Sequence, residues 1–186
     1  MTTYGQLLLT ILLSSVAVFF VSAILNTILP WHHKEFPAPP RQDELRAALR
    51  EFNLAPGEYA IPRPDSMKEM GDPAFIAKLT EGPVVALTVR PNGPFKMAPP
   101  LIKWFCVNLT VASLVAFGAG AVFGPGAAGR EVFHLAALLA SAAYAVGLWQ
   151  GHIWHGRDLV ATVKGSIDGV IYGVLTAWIF SAMWPS

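Results

Sequence analysis

Charged residues are scarce in most of this sequence, and that scarcity excludes an ordinary soluble domain. Only 13% of the 186 residues are charged, about half of the usual ~25%. Of the 13 basic and 12 acidic side chains, 19 lie between Lys34 and Lys103. Four long charge-free runs occupy the rest of the chain, and they cover residues 1–33, 104–129, 132–156 and 169–186.

Other absences exclude further classes of protein. Cys106 is the only cysteine, so an intrachain disulfide, a paired-cysteine zinc site and c-type haem attachment are excluded. A net charge of +1 argues against the basic stripe that nucleic acid binding requires. An apolar fraction of 54% excludes intrinsic disorder. No P-loop, G-x-G-x-x-G or G-x-S-x-G motif occurs, which favours a protein that is not an enzyme.

The charge-free runs predict four transmembrane helices, because a bilayer core of ~30 Å needs ~20 apolar helical residues. Pro30 and Trp31 follow the first run, and tryptophan is typical of the membrane interface. No Lys or Arg precedes Lys34, so the first run is interpreted as an uncleaved span and not as a signal peptide. The predicted spans cover residues 6–29, 102–123, 132–150 and 167–184.

The basic residues predict the orientation. With four spans, both termini and the 124–131 loop lie on one side, and Arg130 is the only basic residue there. The other 12 basic residues lie on the opposite side. Because cytoplasmic loops are enriched in Lys and Arg, the insert between spans one and two is expected in the cytoplasm. Both termini are then expected in the periplasm.

The insert, residues 32–101, is predicted to be a small α+β domain. Residues 41–52 have apolar side chains at helical spacing, and Asp72-Pro73 is typical of a helix start. Residues 84–89 (VVALTV) are the strongest strand signal in the chain. The predicted fold is therefore a four-transmembrane-helix bundle with a small α+β insert between helices 1 and 2.

Four histidines are expected at the cytoplasmic ends of the spans. They follow spans one and three in sequence, and imidazole is a ligand of transition metals. They are His32, His33, His152 and His155. Such a cluster predicts a transition-metal site, although histidines at helix ends are also ordinary interfacial residues. Haem is disfavoured, because no pair of histidines lies in the middle of the membrane to provide axial ligands.

Three polar residues lie in or beside the spans. Asp168 begins span four, and an intramembrane carboxylate suggests function by default. Lys164 lies one turn earlier, so an ion pair between the two, or a polar contact of Asp168 with the insert, is favoured over a proton relay. Asn108 in span two is expected to form a hydrogen bond with a neighbouring helix.

Span four also carries small residues at every fourth position. They are Gly165, Gly169, Gly173, Ala177 and Ser181. Such a row lets another helix approach closely. The approaching helix could come from this chain, from a second copy or from another protein.

Several segments resemble an uncharacterised family of small four-span bacterial inner-membrane proteins with a Pro-rich cytoplasmic insert. They are PWHHK after span one, PGEYAIPRP (56–64), GPVVALTVRPNGP (82–94) and DGVIYGVLTA (168–177). The resemblance implies a multi-pass protein of the bacterial inner membrane. It assigns no catalytic or ligand residue.

Three functions are compatible with these features. The first is a non-enzymatic accessory or scaffold subunit of a larger inner-membrane complex, suggested by the small-residue rows and the small insert. The second is a metal-binding or metal-handling membrane protein that uses the four histidines. The third is a small oligomeric transporter that uses Asp168 and Asn108.

Overall fold

A computed structural model of the chain describes residues 4–186 and contains four helices that are long and apolar enough to cross a membrane. Each has at least 24 residues, and at ~1.5 Å per residue this length exceeds the ~30 Å hydrocarbon core. The four helices are Gly5–Ile28, Ala98–Val122, Gly129–His155 and Leu159–Ala182. By length and composition, the predicted four spans are confirmed.

The first span ends just before a proline. Pro30 cannot continue the helix, because it lacks the backbone N–H that the next turn would need. Polar side chains inside the span are satisfied locally, since the Ser14 hydroxyl donates to the Thr10 carbonyl oxygen at 2.8 Å. A helix with such internal bonding can lie in lipid. The span consists of a 3-10 turn Tyr4–Leu7, α1 (Leu8–Ala23) and a π turn Ile24–Ile28.

The other spans differ from their predicted bounds at three places. The second span, α4 (Ala98–Val122), begins a turn earlier than expected. The third is interrupted at Gly147 and forms α5 (Gly129–Ala145) and α6 (Leu148–His155). The fourth, α7 (Leu159–Ala182), begins well before residue 167. Hydropathy places that boundary after Lys164, whereas the helix begins at a side-chain cap, in which the Ala161 N–H donates to the Asp158 carboxylate at 2.8 Å.

The spans pack in a ring. Helix α1 packs against α4 and α7, and α5 completes the ring by packing against the same two helices. Side chains from all four spans form one apolar core, which includes Ile11, Val115, Ala140 and Phe180. We call this unit, which comprises the described residues up to Phe36 and Lys96–Ser186, the bundle.

The small-residue row of α7 lies against α5. A Cβ atom added to Gly173 would lie 2.1 Å from the Ser141 hydroxyl oxygen and 2.6 Å from its backbone nitrogen. At Gly169, the added atom would lie 3.0 Å from the Ala145 Cβ. Near the end of the row, the Ser181 hydroxyl donates to the Gly129 carbonyl oxygen at 2.8 Å. The close approach that the row predicts is therefore made within the chain.

Residues Pro37–Phe95 form a second compact unit, which we call the insert unit. Its elements alternate as predicted between helix and strand: α2 (Gln42–Glu51), β1 (Gly57–Ile61), α3 (Pro73–Glu81) and β2 (Val85–Val89). The strands pair antiparallel, from Gly57 opposite Val89 to Ile61 opposite Val85. Helix α3 begins at the predicted cap, since the Ala74 N–H donates to the Asp72 carboxylate at 2.8 Å.

Candidate functional site

The main polar cluster of the bundle is centred on His32, where the first span ends and α7 begins. The His32 Nε2 atom lies 2.7 Å from the Asp168 Oδ2 atom. The His32 Nδ1 atom contacts the Glu35 Oε1 atom on its other side. All three side chains are largely buried, with 15%, 6% and 9% of the His32, Asp168 and Glu35 side chains exposed. We call these three residues the histidine clamp.

Local backbone structure explains how the clamp forms. After Pro30 ends the first span, a turn follows in which the Glu35 N–H donates to the His32 carbonyl oxygen at 3.1 Å. The turn places the Glu35 carboxylate beside the imidazole of the same segment. Asp168 comes from the third turn of α7, where the neighbouring Gly169 leaves room for close packing. The clamp thus joins residues that are more than 130 positions apart in the sequence.

The clamp gives each of its carboxylates a polar partner. Each ring nitrogen of His32 faces a carboxylate oxygen, and an imidazole N–H in such a contact donates to the carboxylate. Arg157 supplies a positive charge, because its Nη2 atom lies 4.0 Å from the Glu35 Oε2 atom. Both carboxylates are thus partnered in a poorly solvated place, which is the condition under which buried charges are tolerated.

Arg157 is positioned by the turn between α6 and α7. Its carbonyl oxygen lies 2.7 Å from the His152 Nδ1 atom, and its N–H donates to the Gly151 carbonyl oxygen at 3.1 Å. Gly156, with a φ of 65°, provides the left-handed backbone that this turn needs. His152 is therefore a positioning residue for the segment that carries Arg157.

The expected ion pair between Lys164 and Asp168 is not formed. The Lys164 ammonium instead donates to the Trp31 carbonyl oxygen at 2.7 Å and lies 5.4 Å from the centroid of the Trp31 ring. The other expectation for Asp168, a polar contact with the insert, matches the structure, because His32 is the first residue of the predicted insert and lies beside Asp168. Both contacts attach the segment after the first span to α7.

A second polar group lies deeper in the bundle. As expected for Asn108, its side chain bonds to a neighbouring helix, since the Tyr144 hydroxyl donates to the Asn108 Oδ1 atom at 3.3 Å. Three aromatic rings pack together beside it, with centroids 5.6–6.2 Å apart. They belong to Tyr144, Trp104 and Tyr172. Between residues 4 and 186, the Asn108 Nδ2 and Asp168 Oδ1 atoms are buried without a hydrogen-bond partner.

The four predicted metal-binding histidines have different surroundings. Both nitrogens of His32 face carboxylates, and one nitrogen of His152 faces a carbonyl oxygen. His33 and His155 are exposed. Within the described residues, no group of three or more His, Cys, Asp or Glu side chains has the arrangement of a metal site. The structure therefore adds no support to the metal hypothesis.

Comparison with known proteins identifies no relative. The chain matches no protein-family description, no curated protein and no solved structure. The resemblance of its motifs to a bacterial inner-membrane family therefore stays a prediction. Function must be argued from the geometry of this chain.

Sequence reasoning missed the main roles of Glu35 and Arg157. Neither residue belongs to a recognisable motif, and Arg157 enters the sequence analysis only as one of the 12 basic residues that predict the orientation. A local signal for Glu35 exists, because it lies three residues after His32 in a segment that follows a helix-ending proline. No local signal brings His32 beside Asp168 or Arg157 beside Glu35, since these contacts depend on how the segment after the first span packs against α7 and the turn before it.

Proposed function

We propose that this protein is a non-enzymatic accessory or scaffold subunit of a larger complex in the bacterial inner membrane. The bundle anchors the chain in the bilayer, and the insert unit presents a surface to a partner protein in the cytoplasm. The observation that carries the proposal is the large apolar surface that the insert unit leaves exposed.

The insert unit buries very little of its own apolar surface. Within Pro37–Phe95, all of which the structure describes, Phe75 is the single buried hydrophobic side chain. By contrast, 71% of Phe52, 65% of Val84 and 48% of Ile76 are exposed. A unit of this size has a marginal core in any case. Exposed apolar surface of this kind is typical of an interaction site.

Helix α2 contributes a continuous part of this surface. Leu45, Ala48, Leu49 and Phe52 lie on one face at helical spacing, and charged residues occupy the other face. Leu45 and Phe52 are 46% and 71% exposed. An amphipathic helix whose apolar face stays open is a common element of protein recognition.

The histidine clamp supports the same role. Within the bundle, the His32–Asp168 contact and the hydrogen bond from Lys164 to Trp31 fasten the segment after the first span to α7. An ordered end of the bundle suits an anchor from which a binding unit is presented.

The sequence supports the membrane and the orientation that we propose. The bias of basic residues toward the insert side supports a cytoplasmic insert unit and periplasmic termini. The resemblance of the four motifs supports a bacterial inner membrane.

Purification of the native protein from mild detergent tests the proposal. We expect a second protein to co-purify at near-stoichiometric amount. Replacing Leu45 and Phe52 with Glu should abolish co-purification, because each change puts a charge on the apolar face of α2. Ala47→Glu is the matched control, since Ala47 is exposed on the opposite face of the same helix. A single monodisperse protein without a partner would contradict the proposal.

A further inference from the structure

A groove lies between helix α2 and strand β2 inside the insert unit. Its volume is about 580 Å³, which is within the range of ordinary binding clefts. Helix α2 makes few close approaches to the sheet, and this separation leaves the groove open. The lining residues are Arg46, Leu49, Arg50, Asn53, Leu54, Leu87, Thr88, Val89 and Asn92.

One wall of the groove is the edge of a β-sheet. Leu87, Thr88 and Val89 are consecutive in β2, and no residue of β1 lines the groove. A groove across the face of the sheet would contact alternate residues, and it would contact both strands. Three consecutive residues of one strand therefore indicate its edge.

This edge of β2 is unpaired. The sheet has two strands, so β2 bonds to β1 on one side only. Among residues 4–186, no other backbone group forms a hydrogen bond with Val85–Val89. An unpaired edge presents a row of N–H and C=O groups, and it is a template for another strand.

The opposite wall is basic. Arg46 and Arg50 lie one turn apart on α2 and both line the groove. Arg46 has one loose ion pair, in which its Nη2 atom lies 3.6 Å from the Asp43 carboxylate. Arg50 has no ion pair within the described chain. Between residues 4 and 186, no acidic side chain lines the groove, so its charge complements an anion.

We propose that this groove receives an extended acidic segment of the partner protein, which adds to β2 as a third strand. The proposal rests on the proposed function, because it specifies how the partner binds. Backbone groups of the segment pair with the β2 edge, which spans about 10 Å over three residues at ~3.4 Å each. Carboxylates of the segment accept hydrogen bonds from Arg46 and Arg50, in the bidentate geometry that guanidinium groups favour. Apolar side chains of the segment lie against Leu49 and Leu54.

The strand edge distinguishes this occupant from simpler anions. A phosphate ion or a lipid headgroup would use the two arginines, but it would leave the N–H and C=O groups of β2 unpaired. An extended peptide uses both walls at once. Peptide addition to a sheet edge beside a helix is a recurrent mode of recognition, in which the main chain gives affinity and side chains give specificity.

Peptide binding to the full-length protein in phosphatidylcholine nanodiscs tests the proposal. The probe is a fluorescein-labelled peptide, Glu-Val-Glu-Val-Glu-Val-Glu. We expect saturable binding by fluorescence anisotropy and slower amide hydrogen exchange at Leu87–Val89. The double variant Arg46→Gln/Arg50→Gln should bind about ten- to a hundredfold more weakly, as expected for the loss of charge-assisted hydrogen bonds. The matched control Arg63→Gln/Lys78→Gln removes the same charge outside the groove and should bind normally.

Two altered peptides separate strand addition from charge attraction. A peptide with N-methylated valines keeps its charge but cannot form the edge hydrogen bonds, and it should bind about tenfold more weakly. A peptide with Lys in place of Glu should not bind. Equal binding of the N-methylated peptide would overturn the proposal. Displacement of the acidic peptide by phosphatidylglycerol vesicles, with the same dependence on both arginines, would instead show a lipid headgroup site.

The peptide test and the co-purification test can fail separately. A partner that co-purifies with the Arg46→Gln/Arg50→Gln variant as well as with the native protein would overturn the groove proposal and leave the accessory function standing. Loss of the partner from this variant, with retention in the Arg63→Gln/Lys78→Gln control, would support the groove proposal.

Discussion

The bundle and the insert unit use the same kinds of interaction in opposite surroundings. In the bundle, His32 and Asp168 form an ion pair whose side chains are 15% and 6% exposed. In the insert unit, Arg41 and Glu44 form an ion pair whose side chains are 78% and 64% exposed. Water and salt screen the second pair, so it contributes little. Removing one member of the first pair leaves the other buried without a partner, which lowers the free energy of unfolding.

Apolar groups show the same contrast. The bundle packs its small residues until backbones nearly touch, as at Gly173 and Ser141. The insert unit leaves Phe52 and Val84 in contact with solvent. Rigid packing suits an anchor, and open apolar surface suits a unit that binds. Four changes, ordered by expected effect, test whether the two regions differ in this way.

The largest effect is expected from His32→Ala. This change leaves the Asp168 and Glu35 carboxylates without their shared partner, and removing one member of a buried pair costs about 3–5 kcal/mol. The free energy of unfolding in detergent, measured by denaturant titration, should fall by that amount. His33→Ala is the matched control, because His33 is exposed and adjacent in sequence. Equal stability of the two variants would show that the histidine clamp does not stabilise the bundle.

Gly173→Ala should have the next largest effect. The added Cβ atom would lie 2.6 Å from the Ser141 backbone nitrogen and 2.8 Å from its Cα atom, so α5 and α7 must separate. Overpacking of this kind costs about 1–3 kcal/mol. Gly147→Ala is the control, because nothing lies within 4 Å of an added Cβ atom there. Thermal unfolding of both variants measures the difference, and a normal melting temperature for Gly173→Ala would argue against the close helix contact.

Tyrosine hydroxyl groups offer a smaller, paired comparison. In the bundle, Tyr144→Phe removes the hydrogen bond to Asn108, whose Nδ2 atom already lacks a partner among the described residues. We expect a loss of about 1 kcal/mol in the free energy of unfolding. In the insert unit, the exposed Tyr59 hydroxyl donates to the Ala55 carbonyl oxygen at 2.9 Å. Tyr59→Phe should cost less, because water replaces the lost bond. A larger loss of stability in Tyr59→Phe than in Tyr144→Phe would contradict the expected difference between the bundle and the insert unit.

The smallest effect is expected at Glu44. Its hydrogen bond with Arg41 holds the pKa of the Glu44 carboxyl below its ordinary value. A carboxyl whose pKa is lowered by folding stabilises the folded state when the pH is above its ordinary pKa of about 4.3. This stabilisation is lost as the pH falls through the lowered pKa of the folded state. A carboxyl titration by NMR should show the Glu44 midpoint rise in Arg41→Gln. The stability of that variant at neutral pH should stay unchanged within error, since both side chains are largely exposed and solvent screens the pair. An unmoved midpoint would show that the pair does not persist in solution.

Much of the fold could be predicted from local patterns. Charge-free runs predict the four spans, and the Asp72-Pro73 pair predicts the start of α3. A span or a helix start depends on residues that are close together in the sequence, so each can be predicted from its own segment. The start of α7 was placed too late, because hydropathy excluded Lys164 from the span. The cap at Asp158 starts the helix before Lys164, so this charge lies in the second turn of a helix that is long and apolar enough to cross a membrane.

The candidate site could be predicted only in part. The sequence predicts a polar contact between Asp168 and the insert as one alternative, but it does not identify His32 as the residue that makes this contact. The pairing of Asp168 with His32 requires that the end of the first span lie against α7, and no short-range pattern encodes that arrangement. The row of glycines on α7 predicted a close helix contact, but its spacing could not say which helix would approach.

Composition and local periodicity establish that this protein has four apolar spans and a small α+β insert, because hydrophobic burial and backbone hydrogen bonding act within each segment. Long-range packing establishes that Ser141 meets Gly173, that His32 joins Glu35 to Asp168, and that α2 and β2 line one groove. These contacts join residues far apart in the chain, and their geometry depends on helix packing angles and strand pairing. The histidine clamp and the arginine-lined groove are products of that packing.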